Sequence, residues 1–269
     1  MAARKYIYVV LLFFLASCQQ FEFDPNQSVN AFSADRLNYV NIERIINEPS
    51  REEMVLAITG DSHLDYDNLT KFVHHVNADP TIDFVIHTGD LTDHGLLKEY
   101  EWAVSRLQKL NKPFVVTLGN HDVLSLGEDT YKHMLGGSNF TFVKDSVKFV
   151  VFNSNGREYG FKGKIPDLGW LNKELLSGSD YKNVMMVSHV PYWDRDFDLG
   201  LKPDYLKLLR DVNSRTPILA HINGHLHMQT VDVRPDNGLL QILPGSTGSR
   251  TYVKLIIGKN GVRYEKITF

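Results

Sequence analysis

The feature that most restricts the fold is a set of six short apolar runs, each ending in or running into Gly, Asn, His or Asp. They are Met54 to Thr59, Ile82 to Thr88, Phe114 to Leu118, Val147 to Asn153, Val184 to Ser188 and Ile218 to Ile222. Runs this short suit strands buried on both faces, with polar mouths where the chain leaves the sheet. Between the first three, Leu69, Phe72, Val73 and Val76 fall at i, i+3, i+4 and i+7. Tyr100, Val104, Leu107 and Leu110 keep a similar helical period. The order is therefore strand, helix, strand, helix, strand, which argues for an α/β layered sheet with ligands gathered at the carboxyl ends of its strands. The tail reads differently: Val231 to Leu243 around Pro235-Asp236-Asn237-Gly238, and Tyr252 to Phe269 around Lys259-Asn260-Gly261, each form a hairpin pattern with a Gly-bearing turn.

At 269 residues, 43% hydrophobic and 23% charged, the chain has ample material for a core, which excludes intrinsic disorder, collagen and coiled coil. No repeat, low-complexity tract or linker points to a second domain. A net charge of -3 gives no electrostatic reason to expect a nucleic-acid partner.

The N-terminus speaks to location. Arg4 and Lys5 precede an apolar run from Tyr6 to Ala16, too short to cross a bilayer, where a helix needs roughly 20 residues. Such a segment reads as a secretory signal peptide. Leu15-Ala16-Ser17-Cys18 resembles the bacterial lipobox, in which cleavage before the cysteine exposes its thiol for lipid attachment, and Cys18 is the sole cysteine. The expected organisation is a lipoprotein signal peptide over 1–17, a tether and lead-in over 18–50 with one helix around Leu37 to Ile46, and a single domain over 51–269. The expected location is the bacterial cell envelope, lipid-anchored to the membrane. Gln19, rather than Asp, after the cysteine favours the outer membrane.

The strand mouths carry the chemistry. They read Gly60-Asp61-Ser62-His63, Gly89-Asp90-Leu91-Thr92-Asp93, Gly119-Asn120-His121-Asp122, Ser188-His189 and Gly224-His225-Leu226-His227, and they hold five of the eleven histidines. One Asp or His after a strand is ordinarily a helix cap or a turn residue. Carboxylate and amide oxygens mixed with imidazoles along one sheet edge are a different matter, because that donor mixture suits Mn, Fe or Zn.

With these five blocks in order, the stretch from Val55 to Met228 resembles the calcineurin-like metallophosphoesterases. The resemblance implies a layered sandwich of two β-sheets flanked by helices, and a hydrolase that attacks phosphate esters, the small-molecule partner, with metal-bound hydroxide. It implies two divalent transition-metal ions bridged by Asp90, one held by Asp61, His63 and His227, the other by Asn120, His189 and His225. The two-residue spacing of His225 and His227 fits their division between metals. A pair of cations about 3.5–4 Å apart neutralises phosphate oxygens and acidifies a bridging water. The resemblance also implies His121 as general acid, held by Asp93, with Asp122 the alternative holder.

Other motifs weigh less. Gly245-Ser246-Thr247-Gly248 is a turn and not a nucleophile elbow, which needs Gly-x-Ser-x-Gly. Ser188 and His189, adjacent in a strand, point to opposite faces. His74-His75 read as solvated or packed helix residues. Tyr192-Trp193 either wall the substrate pocket or close a loop. Some protein phosphatases of the family place Arg directly after the second-block Asp, where this chain has His94. That departure disfavours a protein phosphatase and favours phosphodiesters, which carry less charge than monoesters. The alternatives are a phosphomonoesterase of the same family and a non-catalytic binding lipoprotein on the same fold.

Overall fold

A computed structural model describes residues 24, 26, 27, 36–176, 178 and 180–269. Cys18 and the expected signal peptide lie outside the described residues. In chain order the elements are α1 (Leu37–Asn47), β1 (Met54–Thr59), α2 (Tyr66–Ala78), β2 (Phe84–His87), α3 (Leu97–Leu107), β3 (Phe114–Val116), a 3-10 turn (His121–Val123), α4 (Gly127–Met134), β4 (Phe140–Lys144), β5 (Val147–Val151), α5 (Leu168–Leu176), β6 (Asn183–Val187), α6 (Lys202–Asn213), β7 (Ile218–Ile222), β8 (Gln229–Val233), β9 (Leu240–Pro244), β10 (Thr251–Gly258) and β11 (Gly261–Thr268).

The strands form two sheets, ordered β11-β10-β1-β2-β3 and β4-β5-β6-β7-β9-β8. Strands β1, β2 and β3 run parallel, as do β5, β6, β7 and β9, while β10 joins β1 antiparallel. The two tail hairpins are β8–β9 and β10–β11.

Period-two alternation explains the layering. Leu56, Ile58, Ile86 and Val115 of the first sheet face Phe149, Met185, Val187 and Ile222 of the second in one buried core. The intervening Ala57, Val85 and Val116 turn outward onto Leu69, Phe72, Val76, Tyr100, Val104 and Leu107 of α2 and α3. On the far side Val150, Val184 and Met186 meet Leu171 and Leu175 of α5 and Leu209 and Val212 of α6. The result is the expected sandwich of two sheets with helices on both outer faces.

One finding about the strands differs from the sequence reading. The edge strand β4 was not expected, because Phe140-Thr141-Phe142-Val143-Lys144 is only half apolar and buries alternate residues. The helix expected in the lead-in forms as α1 and packs against the body. Ile42 and Ile45 of α1 join the core between the sheets. At the free edge of β3, Asn38 receives the Val116 N–H at 2.8 Å and donates to the Val116 carbonyl at 3.0 Å. One buried amide thus pairs the strand edge as a neighbouring strand would.

Candidate metal centre

Because β1, β2 and β3 are parallel, as are β6 and β7, their carboxyl ends lie on common rims, and the five polar loops leave from those ends. The loops are laced together by main-chain bonds. Asp61 N–H donates to the Gly89 carbonyl at 2.9 Å, and Ser62 and His63 N–H donate to the Asp90 carbonyl at 2.9 and 3.0 Å. His121 N–H donates to Asp90 Oδ1 and His225 N–H to Asp61 Oδ1, both at 2.9 Å. The approach needs Gly119, where a Cβ would collide with the main-chain nitrogen and carboxylate of Asp90.

The backbone is strained at the metal-binding candidates. Asp61, His63, Asp90, His225 and His227 have φ of 50°, 43°, 54°, 72° and 52°. A left-handed conformation costs a non-glycine residue roughly 1–2 kcal/mol. Its concentration at five of the seven candidate ligands points to side chains aimed for a purpose other than folding.

The side chains converge as two groups joined by a carboxylate. In the first, His227 Nε2 lies 3.3 Å from Asp61 Oδ1 and 3.3 Å from His63 Nε2. In the second, Asn120 Oδ1 lies 3.0 Å from both His189 Nε2 and His225 Nδ1. Asp90 Oδ2 stands between them, 3.2 Å from His189 Nε2 and 3.8 Å from His63 Nε2. Donor atoms of Asp61, His63 and His227 lie within 4.8 Å of one another, as do those of Asp61, Asp90 and His189.

The residues fit divalent cations. Asp61 and Asp90 are buried, and Asp61 Oδ2 has no hydrogen-bond partner. Two buried carboxylates demand compensating positive charge. Burial would push the His189 imidazole down, yet Asp90 beside it, with Asp61 and the Thr88 carbonyl, holds it up to about 10. Burial would likewise raise Asp90, but His189, His63 and His121 hold it well below the usual carboxylate range. The Asp61 hydrogen bond raises His227. The tautomer of His189 also suits a ligand: its Nδ1 lies 2.7 Å from the Thr88 carbonyl, which only accepts, so Nδ1 carries the proton and Nε2 faces the cluster.

His121 stands at the edge of this cluster, its ring 4.7 Å from that of His63. Its Nδ1 donates to the Asp93 main-chain carbonyl at 2.8 Å, which leaves Nε2 to exchange a proton. The Asp93 carboxylate, expected to hold His121, is 3.6 Å from His121 Nδ1 and closer, 3.2 Å, to His63 Nδ1. Asp93 thus fixes His121 chiefly through its carbonyl. The alternative holder, Asp122, is engaged elsewhere: its carboxylate accepts from Leu91, Thr92 and Gly119 N–H and from the Thr92 hydroxyl, tying the β2 and β3 mouths together.

Other motifs resolve as structure. Thr247 of the Gly245–Gly248 turn donates to the Gly60 carbonyl and supports the β1 mouth. Ser188 points away from His189 and bonds His221 at 3.0 Å, while Ser62 bonds His87 at 3.1 Å. Burial pushes His87 down to about 4 and His221 down to about 3, so both remain neutral beneath the rim. Tyr192 is buried against Tyr205, and its hydroxyl donates to Asp236, so it does not wall a pocket. His94, in the place of the phosphatase arginine, is tied to Glu99 in the first turn of α3. Sequence reasoning missed Asp194 and Asp196, which flank His225. No strand end or motif spacing marks them.

A probable cyclic nucleotide phosphodiesterase of Xenorhabdus bovienii is 20% identical over 158 residues, which is 57% of this chain and 63% of that protein. A probable glycerophosphodiester phosphodiesterase, GpdQ, of Arcobacter nitrofigilis is 30% identical over 126 residues, 44% of this chain and 46% of that protein. The chain therefore spans less than two thirds of the length of either relative. Purple acid phosphatase PPD1 from yellow lupin seeds shares the fold, with a TM-score of 0.59 at 14% identity over 81% of this chain and 52% of that one. The calcineurin-like phosphoesterase model matches residues 54–229, a stretch that holds all five rim loops in order, and this chain belongs to that family.

Proposed function

We propose that this protein hydrolyses phosphate esters at a dinuclear metal centre and prefers diesters. The observation that carries this reading is the placing of Asp90 Oδ2 within reach of both histidine groups, with His121 beside them and its Nε2 free of the Asp93 carbonyl. Two divalent ions bound there would screen the phosphate charge and acidify a water between them. Asp61, His63 and His227 would hold one ion, Asn120, His189 and His225 the other, and Asp90 both, since a carboxylate offers two oxygens and a full charge.

The chain's own groups then do three things. The strained loops fix the donors before substrate arrives, so little reorganisation is left for the reaction. The Asp93 carbonyl sets the His121 tautomer. His121 Nε2 delivers a proton to the departing alkoxide.

Preference for diesters rests on charge. A diester carries one negative charge and a monoester nearly two, and the position of the phosphatase arginine is filled by His94, engaged with Glu99. The relatives named for cyclic nucleotides and glycerophosphodiesters support the same class. With Mn, Fe or Zn supplied, kcat/KM for bis(p-nitrophenyl) phosphate should exceed that for p-nitrophenyl phosphate; preference for the monoester at neutral pH overturns the diester assignment.

We further propose that the protein is held on the envelope membrane through a lipid on Cys18, a reading that rests on the lipobox-like Leu15-Ala16-Ser17-Cys18 alone. A Cys18→Ser chain should fractionate as soluble or uncleaved protein, and a correctly cleaved variant that stays on the membrane refutes the anchor.

A further inference from the structure

The loop after His189 reaches back to a second candidate ligand. His225 lies with Nδ1 3.0 Å from Asn120 Oδ1, on the cluster side, and Nε2 3.4 Å from both Asp194 Oδ1 and Asp196 Oδ2 on the other. The carboxylates are themselves fixed. Asp194 Oδ1 accepts from the Asp196 N–H at 2.9 Å, and Asp194 N–H donates to the Pro191 carbonyl at 2.9 Å. Arg157 Nη1 sits 2.7 Å from Asp196 Oδ2, and Arg157 N–H donates to the Asp196 carbonyl at 3.0 Å. The side chains of Asp196 and His225 are 8% and 15% exposed, so water competes little for these contacts.

A proton on Nε2 satisfies both carboxylates, which only accept, whereas a cation among the three would make a separate metal site, since donor atoms of Asp194, Asp196 and His225 lie within 4.8 Å of one another. With Nε2 protonated, Nδ1, 3.0 Å from Asn120 Oδ1, is the ring nitrogen on the cluster side and the one open to a cation shared with Asn120. We infer that Asp194 and Asp196 are positioning residues that hold His225 as an Nδ1 ligand and set the affinity of the metal shared with Asn120 and His189. Arg157 anchors Asp196 in that task, so a chain of contacts runs from Arg157 through Asp196 to His225. The inference rests on the dinuclear reading of the site.

Zinc, which is diamagnetic, gives the direct test. In the full chain titrated with Zn2+, long-range 15N–1H spectra should show His225 with Nε2 protonated and Nδ1 metal-bound; the reverse overturns the inference without any variant. Calorimetric titration of the double variant Asp194→Leu/Asp196→Leu should show one zinc bound as in the wild type and the other weakened roughly 10–100-fold, the usual effect of losing such partners. The single Asp196→Glu, which keeps an acceptor, should recover most of that affinity. Two zinc ions bound with wild-type affinity by a folded double variant overturn the positioning role alone. No zinc bound by the wild type overturns the dinuclear reading and the inference with it.

Discussion

Asn38→Ala tests the claim that the lead-in helix belongs to the fold. Asn38 is fully buried, and its amide satisfies both main-chain groups of Val116 on the outer edge of β3. After truncation the Val116 carbonyl still has the Tyr131 hydroxyl at 2.6 Å, but the Val116 N–H has no partner. A buried orphan donor costs about 1–3 kcal/mol, and the space left by the amide adds about 1 kcal/mol. The expected loss is therefore about 3 kcal/mol, which in a domain of this size lowers Tm by roughly 6–12 °C. Urea unfolding of the metal-free protein, followed by circular dichroism, measures it with the slope m unchanged. Because β3 leads directly to Asn120 and His121, metal affinity should fall as well. A loss below 1 kcal/mol would mean that α1 merely rests on the sheet, and the argument for a built edge would fail.

Three further outcomes follow from the geometry. His121→Asn should keep its metal and slow alkyl esters far more than aryl esters, because an aryl oxide leaves without a proton; equal losses in kcat/KM remove its acid role. Gly119→Ala should fold less stably by about 1–3 kcal/mol and bind metal poorly, since its Cβ meets the main chain and carboxylate of Asp90; native metal affinity contradicts the close approach. Asp79, partly desolvated but bonded to Lys254 at 2.6 Å, titrates at about 2 in the fold, so its contribution is present above pH 4 and fades as pH falls through 2. After allowance for solvent screening that is about 1 kcal/mol, and Asp79→Asn should lose it at pH 7 but not at pH 2.

The residues that meet at the rim were legible because strand ends advertise themselves: a continuous apolar run stops and Gly-Asp, Gly-Asn or Gly-His begins. Parallel order then makes one rim of them without further information. Burial on both faces likewise made β1, β2, β3, β5, β6 and β7 readable as unbroken apolar runs. The rest was hidden for physical reasons. β4 buries only alternate residues, and α4 and α5 span only 8 and 9 residues. Asn38 acts across 78 positions of sequence, where no local pattern could reveal it. The positive φ of Asp61, His63 and Asp90 is likewise invisible in residues that ordinarily avoid it. Asp194 and Asp196 sit in a loop that spacing alone does not relate to His225, and the backbone had to be seen for the pair to be noticed.

The central claim is a pair of metals joined by Asp90, and elemental analysis of the reconstituted chain beside turnover of a diester tests it most directly. The wild type should carry two divalent ions per chain and turn over, whereas Asp90→Asn, which leaves two cations facing each other without a full bridging charge, should lose metal and activity together. An Asp90→Asn chain that keeps two ions and native turnover would contradict the account.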